Sequence, residues 1–358
     1  QYLLNQFKSQ QYNVSVQTFA QLLVILFGAM AVGVGTLRAM DGAMSVGALV
    51  ATTALIWRGL APIQSVFLGL GQVGQALESF KQINHLMQLP QERDPGQLPT
   101  IKRVLQGHVA LRGASLRYSA LTEPALRGVS FDAAPGQLIA ITGDSGSGKS
   151  TLLKVILGLY GLQAGSITID GLDTRQFDVA ELRQSIGYAP QRTAIFEGSL
   201  ADNVRLADPT ATKEDIRNAL ARVGILQDAE AFPDGRNTNL LGDGAHRPSD
   251  GFLRQVALAR AFLMPAQLYL LDEPASELDH AGDMNLMNIL GELKGQSTVL
   301  MTTHRPSHMK LADKVVLLRG GLVVASGPPS EIVPIVLSQG GNKSSNKGEI
   351  LPVRTAVA

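Results

Sequence analysis

The sequence has no cysteine and little charge. Its 358 residues contain 17% Asp, Glu, Lys and Arg, and the formal net charge is +1 at pH 7. The missing cysteines exclude disulfides, thiolate metal sites and cysteine nucleophiles. The balanced charge provides no strongly basic surface, so we expect no nucleic-acid partner. The length predicts two or three domains rather than one core.

Charge is scarcest near the start of the chain. No residue between Lys8 and Arg38 carries a formal charge, and two further uncharged runs, residues 42–57 and 59–77, lie on either side of Arg58. A helix of about 20 apolar residues crosses a bilayer. Long buried helices of a soluble protein are the alternative, but core helices rarely need an uncharged run of this length. The pattern therefore favours about two membrane helices within residues 1–88.

Several single residues refine this segment. Trp57 is expected to anchor the second helix at a membrane interface. Pro62 is expected to kink or break that helix, because proline removes one backbone hydrogen bond. Residues 78–87 are amphipathic, as in a helix that leaves the bilayer. The sequence starts at Gln1 with no basic region and cleavage site ahead of the apolar run. We therefore expect a piece of a longer protein rather than a signal peptide.

The rest of the chain divides by composition. Residues 89–106 are rich in proline and charge, which predicts a linker. Strand and helix patterns alternate over residues 107–335, which predicts an α/β domain. Residues 338–347 are rich in Gly, Ser, Asn and Lys, which predicts a disordered tail over residues 336–358.

A glycine-rich loop follows the short apolar strand predicted at residues 138–142. The strand–GxxxxGK[ST]–helix order that phosphate-binding loops require is complete here. Glycine lets backbone N–H groups converge on phosphate oxygens, and the following helix adds a partial positive charge. We expect Lys149 to reach the β- and γ-phosphates of ATP and Ser150 to ligate Mg²⁺. The loop comprises Gly143, Asp144, Ser145, Gly146, Ser147, Gly148, Lys149, Ser150 and Thr151.

A second apolar strand, predicted at residues 268–271, ends in two carboxylates. Asp272 is expected to hold Mg²⁺, and Glu273 is placed to polarise an attacking water. The alternative is that the acidic pair caps a helix, since Pro274 is a good first helical residue. The phosphate loop upstream favours the catalytic interpretation.

The motifs of residues 107–334, and the order in which they follow one another along the chain, resemble those of the nucleotide-binding domain of ABC transporters. Each further match has an ordinary structural explanation when taken alone, but the joint spacing is specific. The resemblance implies that Gln191, Glu273 and His304 take part in catalysis, with Gln191 also at the metal. It further implies an adenine-stacking role for Tyr118, a γ-phosphate contact for His304, and a dimer-interface loop at residues 276–279 that brings Asp279 near the nucleotide.

The chain departs from the family at its signature sequence, LSGGQ. Residues 248–252 read Pro-Ser-Asp-Gly-Phe, so Ser249 and Gly251 match and are expected to face a nucleotide. Asp250 places a Cβ and a negative charge where a glycine is expected to approach a polyphosphate. Like charges at such a distance cost on the order of 1–4 kcal/mol. Phe252 lacks the amide of glutamine, so we expect the site built from this signature to be weakened.

Family members pair two nucleotide domains head to tail, so each ATP meets the signature of the other domain. A heterodimer with one competent and one weakened site is therefore our first hypothesis, and a homodimer with two slow sites is the alternative. The subunit is then either an ATP-hydrolysing translocase or a mainly ATP-binding regulatory subunit. A soluble ABC protein without a transport role is a third class, which the uncharged N-terminal runs disfavour.

The N-terminal part resembles the end of the transmembrane domain in type I secretion exporters. The resemblance rests on residues 41–49, 57–62 and 89–92. It implies a polypeptide cargo, a periplasmic adaptor, an outer-membrane channel, and a bacterial inner-membrane location with the nucleotide domain in the cytoplasm. Drug and lipid exporters have a similar helix end and are the alternative. The expected architecture is an α-helical transmembrane segment followed by an α/β P-loop NTPase domain that uses ATP and Mg²⁺.

Overall fold

The computed structural model describes residues 2–89, 105–241 and 248–340. The chain divides into two compact units, Gln1–Glu92 and Arg93–Ala358. Residues 90–104 of the predicted linker and residues 341–358 of the predicted tail lie outside the described residues.

Two long helices form the first unit, α1 at Tyr2–Met40 and α2 at Val46–Met87. A short turn joins them, and the Ser45 hydroxyl caps α2 by accepting a hydrogen bond from the Ala48 N–H at 3.2 Å. The three uncharged runs are helical apart from residues 42–45 of the turn, but the break considered at Pro62 is wrong, because α2 continues through it. A single proline removes one backbone bond, and the remaining turns of a long helix keep theirs.

Small residues bring α1 and α2 together. A Cβ on Gly35 would lie 2.5 Å from Leu49 Cδ1, and one on Gly28 would lie 3.0 Å from Trp57 Cζ2. Close approach at small residues is how helices pack when lipid surrounds them. The opposite side of α1 exposes large apolar side chains, which include Leu22, Leu26, Phe27, Met30 and Leu37.

Within the described residues, one stretch has the length and composition of a membrane-crossing helix. It is Gln21–Met40, with a mean hydropathy of 2.0. The apolar stretch Val46–Gly59 of α2 is shorter. The second crossing therefore stays a prediction.

Two sheets form the framework of the second unit. A four-stranded antiparallel sheet has the order β2-β1-β4-β5, and a six-stranded sheet has the order β10-β9-β3-β8-β7-β6. In the larger sheet all neighbours are parallel except the β9–β10 pair. The strands are β1 Val109–Leu116, β2 Leu126–Ala133, β3 Leu138–Thr142, β4 Ala164–Ile169, β5 Leu172–Asp173, β6 Ile186–Ala189, β7 Leu268–Asp272, β8 Thr298–Thr302, β9 Lys314–Arg319 and β10 Leu322–Gly327.

Helices cover both faces of the larger sheet. The helices described in this unit are α3 Lys149–Ile156, α4 Val179–Gln184, α5 Leu200–Arg205, α6 Lys213–Arg222, α7 Leu226–Ala231, α8 Asp250–Phe262, α9 His280–Leu293, α10 Pro306–Leu311 and α11 Pro329–Gly340, with short 3₁₀ helices at Thr174–Gln176 and Gly235–Asn237. Of these, α5 and α6 pack on α8, and α7 packs on α6. The α/β domain therefore extends past residue 335, where the tail was predicted to begin. Ile332 and Val333 are buried and hold α11 against the core, so the helix continues to Gly340.

The core lies on both sides of the six-stranded sheet, and strand β3 shows why. All five of its residues are buried; Leu138 and Ala140 belong to one apolar cluster, and Ile139 and Ile141 belong to the other. Parallel strands are buried in this way because helices cover both faces. The carboxyl ends of β3, β7 and β8 therefore meet at one edge, which is where ligands bind in open α/β sheets.

Candidate nucleotide-binding site

The loop after β3 takes a conformation that requires glycine at two positions. Gly143 has φ +144°, and a Cβ there would lie 2.0 Å from the Leu318 carbonyl oxygen. Gly148 has φ +100°, and a Cβ there would lie 2.4 Å from the Ala125 carbonyl oxygen. No side chain caps the N-terminus of α3, which begins at Lys149. The first N–H groups of α3 are therefore available to phosphate oxygens.

Lys149 lies over this loop and is almost fully buried. Its ammonium donates to the carbonyl oxygens of Gly143 at 2.7 Å and Asp144 at 3.0 Å. Burial lowers the pKa of Lys149, and the carboxylates of Glu273, Asp272 and Asp144 oppose that shift. A bound polyphosphate would offer stronger, charged acceptors at the same place.

Asp272 ends strand β7 and is 1% exposed. Its Oδ1 accepts a hydrogen bond from the Thr302 hydroxyl at 2.7 Å, while its Oδ2 is buried and has no hydrogen-bond partner among the described residues. A buried carboxylate oxygen without a partner is costly, and a cation would satisfy it. Asp272 and Ser150 carry oxygen groups of the kind that Mg²⁺ prefers as ligands. The residues therefore fit Mg²⁺.

Glu273 adopts a left-handed backbone conformation, with φ +47°. Its N–H donates to Thr302 Oγ1 at 2.7 Å, and its carbonyl oxygen accepts from the Arg254 guanidinium at 2.8 Å. Its carboxylate Oε1 lies 3.3 Å from His304 Nε2. Both side chains keep solvent access, with 25% exposed for Glu273 and 51% for His304. The acidic pair does not cap a helix, since α9 begins only at His280.

The loop that follows Glu273 contacts the first turn of α8. Asp279 caps α9 by accepting the Gly282 N–H at 2.7 Å. Its carboxylate has this structural role, and its contact with a nucleotide stays a prediction. The Glu277 carbonyl oxygen lies where a Cβ on Gly251 would approach to 2.7 Å. The dimer-interface loop and the signature of one chain therefore touch each other.

The five signature positions do different things in this chain. Ser249 caps α8 by accepting the Phe252 N–H at 3.2 Å, and Gly251 provides the space for the Glu277 carbonyl. Phe252 is 7% exposed, and its ring packs edge to face against Phe232 with centroids 5.3 Å apart. The side chain that departs most from the family therefore belongs to the core, whereas Asp250 is exposed.

Tyr118 and Gln191 lie on separate loops. Tyr118 is 48% exposed; its hydroxyl lies 3.0 Å from Thr151 Oγ1, and its ring meets the edge of Tyr160 at 4.9 Å. The aromatic group is thus beside the phosphate loop, and its stacking on adenine stays a prediction. Gln191 is exposed just after β6, and its carbonyl oxygen is 3.3 Å from an Arg254 nitrogen.

Sequence reasoning missed two residues of this site. Thr302 bonds to both Asp272 and Glu273 and could have been found, because it ends the neighbouring parallel strand in register with Asp272. Arg254 is 1% exposed. It could not have been found from the sequence, because its hydrogen-bond partners are distant along the chain.

The geometry agrees with comparisons to known proteins. A family described as ABC transporter matches residues 126–276, which contain the phosphate loop, Asp272 and Glu273. The chain carries an ABC-type ATPase domain. The predicted fold class, a helical segment followed by this α/β domain, is confirmed.

Two curated relatives extend the likeness to the N-terminal helices. The glutathione/L-cysteine transport system ATP-binding/permease protein CydC of Escherichia coli is 32% identical over 337 residues, which cover 91% of this chain and 57% of that protein. An ATP-dependent lipid A-core flippase of Thiobacillus denitrificans is 30% identical over 323 residues, 90% of this chain and 55% of that protein. The chain thus spans about half the length of these relatives.

A solved structure shares the fold. A bacterial Atm1-family ABC exporter with ATP bound aligns with 97% of this chain and 61% of its own, with a TM-score of 0.75 and 22% identity. At that identity the likeness concerns the fold. The fold is that of the matching part of this exporter structure.

Proposed function

We propose that this chain is part of an ATP-driven ABC exporter that hydrolyses ATP with Mg²⁺ and lies in a lipid bilayer as a dimer. The observation that carries the proposal is the edge of the sheet where Glu273 lies 3.3 Å from His304, beside the unpartnered oxygen of Asp272. The exposed apolar side chains of α1 and its stretch Gln21–Met40 support the membrane location.

The residues divide the chemistry among them. Lys149 and the N–H groups at the start of α3 bind the phosphates and offset their charge. Mg²⁺ on Ser150 and Asp272 supplies further charge neutralisation when bound, with Gln191 as an additional ligand. Glu273 accepts a hydrogen bond from the attacking water and orients it toward the γ-phosphate.

His304 completes the arrangement. Its ring lies 3.3 Å from the Glu273 carboxylate and is about half exposed to solvent. It holds the Glu273 carboxylate and contacts the γ-phosphate, where negative charge is concentrated. Tyr118 supports the base of the nucleotide.

The class of cargo is inferred from the relatives rather than from the short sequence matches at residues 41–49, 57–62 and 89–92. The relatives described above are named for glutathione and L-cysteine transport and for lipid A-core flipping. A small-molecule or lipid cargo is therefore the favoured class. A polypeptide cargo with a periplasmic adaptor and an outer-membrane channel has no support among these names and stays a sequence-based prediction. The bacterial inner membrane, with the ATPase domain in the cytoplasm, fits both classes.

The partner subunit decides how well the site works. Because Asp250 is exposed at the start of α8, the signature of this chain presents a negative charge to a facing nucleotide. A heterodimer whose other subunit supplies an LSGGQ sequence would have one competent site, formed by this chain's phosphate loop. A homodimer would have two weakened sites.

The experiment is ATP hydrolysis by the protein in lipid nanodiscs, alone and mixed with a candidate partner. We expect Glu273→Gln to lower kcat by about 10²–10⁴-fold, the usual effect of removing a general base, while ATP binding persists. Glu292→Gln, which changes an exposed carboxylate of α9, is the matched control and should leave kcat unchanged. Absence of hydrolysis in every wild-type sample would contradict the proposal. Unchanged activity of the Glu273→Gln mixture would contradict the asymmetric heterodimer.

A further inference from the structure

A buried arginine lies behind the proposed catalytic carboxylate. Arg254, in the second turn of α8, is 1% exposed and is one of the largest fully buried side chains in the described residues. Arginine is almost never fully buried unless its charge and donors are satisfied. Its presence there requires a specific set of partners.

Backbone carbonyl groups are those partners. A guanidinium has five N–H donors in a rigid planar fork. The Nε donates to Pro274 at 3.2 Å, one terminal nitrogen donates to Asp272 at 2.6 Å and Glu273 at 2.8 Å, and the other donates to Pro190 and to Gln191 at 3.3 Å. The five carbonyl acceptors equal the five N–H donors in number, so the hydrogen-bonding capacity of the guanidinium is fully used.

The carbonyls belong to two loops that the chemistry uses. Residues 272–274 carry the magnesium ligand and the proposed general base, and residues 190–191 carry the glutamine after β6. Burial lowers the pKa of Arg254, while the carboxylates of Asp272, Glu277 and Glu273 oppose that shift. The guanidinium remains charged at neutral pH.

The hydrogen bonds of Arg254 help to keep Glu273 in an unusual backbone conformation. A left-handed non-glycine residue is strained and persists only where its surroundings determine it. The N–H of Glu273 is held by Thr302 and its carbonyl by Arg254, so both ends of the residue are fixed. The Glu273 carbonyl also accepts the Ser276 N–H at 3.0 Å, so loss of Arg254 would remove one of its two donors and loosen the peptide that carries the carboxylate.

We propose that Arg254 is a positioning residue for ATP hydrolysis, which holds Glu273 in its left-handed conformation and ties it to the Gln191 loop. The proposal rests on the proposed function of the site. It also links the signature to the carboxylate, because Arg254 lies on the helix that Ser249 caps. A shift of the start of α8 by a facing subunit would then reach Glu273 through one rigid side chain.

The test compares Arg254→Gln and Arg254→Lys with the wild-type protein in nanodiscs. We expect Arg254→Gln to lower kcat about tenfold or more, since small misplacement of a catalytic group has effects up to about a hundredfold. The Kd for ATP should change less than about threefold, because no phosphate-binding group is altered. Arg254→Lys keeps the charge but not the fork, so it should recover part of the rate.

A double-substitution cycle separates positioning from general support of the fold. In a Glu273→Gln background, with residual turnover followed by labelled phosphate release, Arg254→Gln should lower the rate no further, because its target is already removed. Arg260 is the matched control. It lies on the same helix, and its guanidinium donates to Ala194 and Asn203 oxygens outside the site. Arg260→Lys should leave kcat within about twofold.

Distinct outcomes overturn distinct claims. A wild-type protein that does not hydrolyse ATP overturns the proposed function. An active wild type with unchanged kcat in both Arg254 variants overturns the positioning role alone, as does an equal loss in the Glu273→Gln background. Failure of both Arg254 variants to fold, while Arg260→Lys folds, would assign Arg254 to stability and also overturn it.

Discussion

Phe252→Gln would restore the family's signature glutamine, and we expect it to destabilise the protein. The Phe252 ring is 7% exposed and packs edge to face on Phe232. Removing a buried phenylalanine side chain costs about 3–5 kcal/mol, and the aromatic pair contributes about 0.5–1.5 kcal/mol of specific energy. Glutamine refills part of the volume but buries an amide. The free energy of unfolding should therefore fall by about 2–4 kcal/mol.

Thermal unfolding measures this effect. Each kcal/mol moves Tm by about 2–4 °C in a domain of this size, so the expected fall in Tm is on the order of 10 °C. Phe252→Leu is the first control, since it keeps an apolar side chain and should cost about 1 kcal/mol. A Phe252→Gln protein that melts within about 1 °C of wild type would refute the assignment of this ring to the core.

Asp250→Gly is the contrasting half of the experiment. The residue is exposed in the first turn of α8, so its loss should change stability by no more than about 1 kcal/mol. In the proposed dimer the substitution removes a negative charge that would face the bound polyphosphate, so we expect ATP hydrolysis by the subunit pair to rise. If Asp250→Gly leaves hydrolysis unchanged, the departures in the signature do not limit turnover.

Two other predictions concern a glycine and a histidine. Gly143→Ala should abolish ATP binding and lower Tm, because its Cβ would lie 2.0 Å from the Leu318 carbonyl oxygen. Gly146→Ala, with φ +78° and no atom within 4 Å in the described residues, should lower Tm by far less. Thermal unfolding with and without ATP measures both effects. His308 is fully buried, its Nε2 is 2.7 Å from Asp283 Oδ1, and burial lowers its pKa despite that carboxylate. The unfolded chain then binds a proton that the folded chain resists, so the stability held above about pH 6.5 should fall as the pH drops below it. Urea unfolding between pH 5 and 7.5 should show a smaller decrease in His308→Gln, and equal slopes would contradict the prediction.

Local patterns allowed much of the fold to be predicted. The strand before the phosphate loop, the loop and helix α3 follow one another in sequence, so one continuous segment shows both the motif and the strand and helix that it requires. Asp272 and Glu273 were found because a short apolar strand precedes them. The parallel sheet then brings these segments to one edge.

Long-range contacts set the limit of sequence reasoning. Arg254 bonds to carbonyls 18 to 20 and 63 to 64 residues away, and backbone acceptors have no residue-type signal. From the sequence, Phe252 was interpreted only as the loss of a glutamine amide, because in the family this position faces the nucleotide of the other domain. In the structure its ring packs within its own domain. The break considered at Pro62 was wrong because one lost bond does not end a long helix.

The structure separates two departures that the sequence grouped together. Phe252 packs in the first turn of α8, the helix that begins within the signature, so a substitution there should change the stability of the domain. Asp250 remains as the group that would act on a nucleotide facing the proposed signature. At the N-terminus of α8 its charge is worth about 0.3–1 kcal/mol to the free domain, while repulsion from a nearby phosphate costs on the order of 1–4 kcal/mol. The same carboxylate would therefore stabilise the open domain and oppose closure on ATP, and we propose that Asp250 shifts the dimer toward its open state.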